Sequence, residues 1–145
     1  TLAGKGICLR TDIYNTRTTG EGAGSIGAFG IDQAEMVGAN AVMNMIYPGS
    51  PNEKELFQDC ADLITMSLDS DIPVILEALP YGLGQTDKYT VDNVKFAVRL
   101  AAELGADVVC ESLTKAIGGF GTDIGGAVVG PRSLYHDLIL YRKAI

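Results

Sequence analysis

The chain has 145 residues, is 47% hydrophobic and 20% charged, and carries a formal charge of −7. That length folds as one domain with a sizeable core, and the composition excludes a disordered chain. Eleven basic residues scattered among eighteen acidic ones form no phosphate-neutralising stripe, which excludes nucleic acid as a partner, and no apolar run approaches the roughly 20 residues of a membrane span.

In chain order, Thr1 to Arg10 run straight into a strand pattern with no leader before it, the look of a chain cut from inside a larger fold. Gly6–Thr11 (GICLRT) reads as the first strand. The next stretch, Asp12–Gly27, is polar, glycine-rich and without period, and reads as a long loop. Its second half, Thr19–Gly27, precedes a helix and is a candidate anion site, although Glu21 would repel a phosphate. A helix is expected over Ala28–Val37, closed by Gly38. Ala41–Tyr47 reads as the second strand. From Glu53 to Leu68 the apolar residues Leu56, Phe57, Cys60, Leu63, Ile64 and Leu68 recur at helical spacing. Ile72–Leu79 is almost uninterruptedly apolar, as buried parallel strands are. Val91–Leu104 is a second amphipathic helix ahead of Gly105, and Ala106–Glu111 is a fourth strand.

Met36–Val42 and Glu103–Val109 both run from helix end through Gly-Ala into a strand, so the βα unit repeats. The fold class is therefore α/β in three layers, a single domain over residues 1–145. Its four parallel strands belong either to part of a (β/α)8 barrel or to a flavodoxin-like open sheet. After Glu111 the grammar changes. No helix pattern intervenes before Ala127, and a parallel return needs a longer crossover, so Gly125–Gly130 should run antiparallel to the fourth strand. Pro131 then opens a last helix through Tyr141, with Leu134, Leu138 and Tyr141 on one face.

Candidate chemistry is thinner. Cys8, Cys60 and Cys110 have neither disulfide nor zinc-ligand spacing, and read as reduced thiols of a cytoplasmic protein with no metal site. The single histidine, His136, has no local partner signal. Asp12, Tyr47, Glu77 and Glu111 fall at the C-terminal ends of the expected strands, the edge where α/β sheets place their chemistry, and line either one shared cleft or the remnant of a barrel floor. Lys115 follows the fourth strand. A lysine becomes a nucleophile only when its pKa falls from about 10.4 toward 7, and no basic neighbour stands beside this one. The glycines of Gly118–Gly126 read as a tight turn rather than a phosphate cradle.

GICLRTD, GANAVMNMIYPGSPNE, IPVILEALPYG and RLAAELGADVV together resemble the middle of the archaeal-type class I aldolases, a (β/α)8-barrel family of Schiff-base enzymes, over residues 1–109. The segment ESLTKAIGGFGTDIGGAVVGPR, within residues 105–145, resembles instead the lysine segment of fold-type I pyridoxal-phosphate enzymes of cysteine and methionine metabolism. The second resemblance implies Lys115 as an internal Schiff-base lysine, Ser112 and Thr114 as hydroxyls at the cofactor phosphate, and pyridoxal phosphate as the cofactor. The first implies a Schiff-base lysine directly after Val109, where Cys110 stands, and a tyrosine at or next to Leu79, with Tyr81 close by. The aldolases' acidic first strand is absent, as are the strands that hold the pyridine ring in the other family, leaving Glu77 and Tyr81 to take over catalytic roles beside Lys115.

Joined at GADVV, the two resemblances imply a chimera: a recombined or engineered fragment without a complete active site and without a cofactor. Two alternatives stand beside that expectation. One is a Schiff-base lyase using Lys115, either aldolase-like on phosphorylated sugars or pyridoxal-phosphate dependent. The other is a module that binds a small anionic or phosphorylated ligand. Raw sheet edges of a part-barrel would also favour a homo-oligomer.

Overall fold

The computed structural model describes residues 4–14, 25–80, 90–112 and 125–143, with side chains as far as Leu138. Its main sheet has five strands in the order β1 (Cys8–Arg10), β4 (Ala41–Ile46), β5 (Val74–Ala78), β6 (Val108–Glu111) and β7 (Ala127–Val129). The first four are parallel, and β7 returns antiparallel to β6 with Val128 opposite Cys110. Between β1 and β4 lie β2 (Asp12–Tyr14), β3 (Ser25–Gly27) and helix α1 (Ile31–Met36). Helices α2 (Glu53–Ser67) and α3 (Val91–Glu103) make the next two crossovers, and α4 (Arg132–Lys143) follows β7.

Strand period decides what each face does. Val42, Ile46, Val74, Leu76, Ala78 and Val109 share one face and form a single core with Ile31, Ala34, Cys60, Leu63, Ala97 and Ala101 from the three crossover helices. Register locks this in place, because Leu9, Val42 and Val74, and Leu76 and Val109, stand side by side, and a one-residue slip would turn the apolar set to the other face. The other face carries Arg10, Met43, Met45, Ile75, Glu77, Val108 and Cys110. On that side Leu134 of α4 comes close to Gly130 and Val108: a Cβ on Gly130 would lie 3.2 Å from Leu134 Cδ2 and 3.5 Å from Val108 Cγ2. Helices therefore flank the sheet on both faces, the second only at the β6–β7 edge.

Each crossover moves one strand further in the same direction, with no reversal of order. A flavodoxin-like sheet needs such a reversal and helices packed on both faces of its centre, whereas a barrel wall advances steadily with its helices outside. The strand order is that of a barrel wall.

Local signals explain the element ends. The Thr90 hydroxyl caps α3 by accepting from the backbone amide of Asn93 at 3.2 Å. Gly38 and Gly105, each just past a helix, take φ values of +65° and +102°, which a side chain would strain. Three expectations need correction. The stretch from Asp12 to Gly27 is not simply a loop, since its two ends pair as an antiparallel hairpin with Ile13 opposite Ile26. Helix α1 starts at Ile31 rather than Ala28, because residues 28 and 29 donate their amides to Thr11 O. Leu68 is not on the packed face of α2; it is the C-cap, 77% exposed.

Candidate active site

At the C-terminal ends of the parallel strands, on the face away from α1–α3, the chain gathers its polar side chains. β1 ends in Arg10, and Thr11 then holds the turn to β4: its amide and hydroxyl both donate to Met43 O, at 2.8 and 3.1 Å. That turn aims Asp12 back at Arg10. The guanidinium donates Nε to Asp12 Oδ1 and Nη2 to Asp12 Oδ2, each at 3.0 Å, a side-on fork that fixes its plane. Nη2 also lies against Met45 Sδ. The third nitrogen, Nη1, faces Glu77 Oε2 at 4.0 Å.

Asp12 is buried and takes a further bond from Ser25 Oγ at 2.6 Å, so the β2–β3 hairpin is fastened to the fork. Two more bonds hold the hairpin to α2: Gly27 N donates to Asp59 Oδ2 at 3.0 Å and Asn52 Nδ2 to Ser25 O at 2.7 Å. Burial works against the Arg10 charge, but the bonds to Asp12 and the fields of Asp12, Tyr47 and Glu77 hold its pKa above the ordinary value. Glu77 stands opposite Met45 on one side and Cys110 on the other. Burial first, then Glu77 and Cys8, push the Cys110 thiol up, so it stays protonated and is a poor nucleophile.

Of the four strand-end residues singled out by sequence, Asp12 and Glu77 thus meet at one guanidinium, and Tyr47 reaches it through Met45, its hydroxyl donating at 2.8 Å to the Sδ that Nη2 touches. Glu111 does not join them. It shares the parity of Val109, is 5% exposed, and lies toward the helix-covered side. Ser112 follows β6 and is half-buried, while Tyr81, Thr114 and Lys115 lie outside the described residues. Arg10 was missed by sequence reasoning. Its one signal was a charge at the end of a short apolar strand.

Four parallel strands advancing in one direction, with α1–α3 on one face and a polar cluster at their C-terminal ends on the other, are the arrangement of part of a (β/α)8-barrel wall. Residues 6–124 match the DeoC/LacD family aldolases, and the chain belongs to that family. It is 37% identical over 78 residues to a class 1 fructose-bisphosphate aldolase of Halobacterium salinarum, covering 54% of this chain and 30% of that protein. A class 1 fructose-bisphosphate aldolase of Thermoproteus tenax is 32% identical over 100 residues, 69% of this chain and 36% of the relative. An archaeal fructose-1,6-bisphosphate aldolase, solved with its catalytic lysine bound to the carbinolamine intermediate of the substrate, superposes with a TM-score of 0.64 at 27% identity, over 70% of this chain and 40% of that one. The chain thus spans well under half the length of these relatives. The family match also runs past Val109 and Cys110 and through Lys115, so the aldolase likeness extends into the segment that resembles the pyridoxal-phosphate enzymes.

Proposed function

We propose that the chain is part of a Schiff-base aldolase barrel that keeps the ligand-orienting strand-end cluster but not the imine-forming amine on β6, and that alone it binds without turning substrate over. The observation that carries this reading is Cys110. It occupies the β6 position to which the aldolase resemblance assigns the lysine, beside Glu77 on the face of the cluster. A protonated thiol cannot form the imine through which such enzymes stabilise a carbanion, and catalysis requires the whole constellation rather than the groups around it. Recombination near GADVV is retained in this reading as the reason a cysteine stands there. The free thiols fit a cytoplasmic setting.

Pyridoxal phosphate has no step in this reading. What supports leaving it out is that the aldolase family match runs through the segment carrying Ser112, Thr114 and Lys115.

The test is imine trapping. Fructose 1,6-bisphosphate is added to the protein, borohydride reduces any imine to a stable amine, and mass spectrometry locates the adduct. The expected result is no more than background labelling at Lys115. Stoichiometric labelling that disappears in Lys115→Met, together with retro-aldol turnover, overturns the proposal.

A further inference from the structure

The strand-end cluster has an opening in it. Arg10 commits Nε and Nη2 to Asp12, yet Nη1 has no hydrogen bond among the described residues, and its nearest acceptor, Glu77 Oε2, is 4.0 Å away. That separation is too long for a direct bond and is the span of one bridging oxygen. A hydroxyl oxygen placed about 2.9 Å from both atoms would subtend an angle of about 90°, accepting from Nη1 and donating to Oε2. The Arg10 side chain is 45% exposed and that of Glu77 20%, so both are reachable from the face opposite α1–α3, whereas Asp12 at 0% serves only to hold the guanidinium.

Charge decides which ligand suits the pair. One guanidinium faces two carboxyl side chains here, Asp12 forked to it and Glu77 beside its free nitrogen. An incoming phosphate would have to displace Glu77 and then sit against it, a like-charge contact in a partly desolvated place. A hydroxyl needs both a donor and an acceptor, and finds both.

Resting on the aldolase-scaffold reading, we infer that Arg10 Nη1 and Glu77 Oε2 form a subsite for a neutral hydroxyl or vicinal diol of a polyhydroxy ligand, and that this cluster is not where an anionic group of the ligand binds. Asp12 and Ser25 act as positioning residues, fixing the plane of the guanidinium.

The experiment titrates the protein with sorbitol and separately with inorganic phosphate at constant ionic strength, following the Arg10 side-chain resonances by NMR, and repeats both with Glu77→Gln. The substitution keeps the shape of the side chain while removing its charge, and circular dichroism checks that the fold is retained. Sorbitol is expected to shift the Arg10 signals in the wild type and to bind about tenfold more weakly in Glu77→Gln, the loss of one charge-assisted bond. Phosphate should move the opposite way, binding better once the carboxylate is gone. Unchanged sorbitol binding in the variant, or phosphate binding at Arg10 that is stronger in the wild type, overturns the inference. If Glu77→Gln fails to fold, Glu77→Leu, which also removes the carboxylate, is read by the same opposed shifts. None of these readouts depends on imine formation, so a trapped imine at Lys115 would remove the non-catalytic reading while leaving the subsite to stand or fall by itself.

Discussion

Replacing Leu76 by alanine should lower the stability of the fold by about 3–4 kcal/mol, the range for truncating a fully buried leucine. Leu76 has 0% exposure and stands at the centre of β5, the middle strand of the sheet, facing the helices. Asn44 is opposite it on β4 and Val109 on β6, and the core around it draws on α1, α2 and α3. No neighbour can collapse into the space without leaving another, so both the transfer and the cavity contributions should be felt in full. Urea unfolding should show an earlier midpoint with an unchanged slope. Val128→Ala, at a side chain 50% exposed on the edge strand, should cost less than about 1 kcal/mol in the same assay. Equal losses at the two positions would mean that the helix-facing side of β5 is not the core.

Alkali should destabilise the protein through one buried thiol. Cys60 has 0% exposure, and burial, followed by the fields of Asp59 and Asp12, pushes its pKa from 9.0 to about 12. In the unfolded chain the thiol ionises near its ordinary value; in the folded chain it stays protonated until far higher pH. Stability linked to this group is therefore complete below pH 9.0 and is lost as pH rises from there toward about 12. Across that window the loss is on the order of 3–4 kcal/mol, at about 1.4 kcal/mol for each unit between the two pKa values. Other thiols, tyrosines and lysines titrate in the same range, so the informative quantity is the difference between the wild type and Cys60→Ala. The variant should be less stable near neutrality, from the small cavity, and should lose less stability above pH 9.0. Parallel pH profiles for the two proteins would show that Cys60 is free to ionise in the folded state.

Much of this architecture is legible in residue order because periodicity records burial. Ile72–Leu79 and Ala106–Glu111 read as strands, and Glu53–Leu68 and Val91–Leu104 as helices, since each buries a face whose period survives in the sequence. The antiparallel β7 was legible from the missing crossover helix before it. The hairpin of β2 and β3 was not, because three residues on each side leave no measurable alternation and its stability comes from distant partners, Asp59 and Asn52 on the loop and helix beyond β4. The site divides in the same way. Asp12, Tyr47 and Glu77 are found by asking which residues end parallel strands, but sequence alone cannot say that all three turn toward Arg10, nor that Glu111 turns away. That depends on register and face, which are set by pairing between strands.

On the proposed reading, Cys110 on β6 stands at the aldolase lysine position, in a site otherwise arranged to receive a ligand. Cys110→Lys tests that placement most directly. The burial that raises a thiol's pKa lowers that of an ammonium, while Glu77 opposes the shift, so part of the new amine should be uncharged and nucleophilic near neutral pH. Fructose 1,6-bisphosphate and borohydride, followed by peptide mass spectrometry, would then read the outcome at a single residue. A reduced adduct is expected at position 110 in the variant and none there in the wild type. A folded variant that gives no adduct at position 110, or a wild-type protein labelled stoichiometrically at Lys115, would contradict that reading.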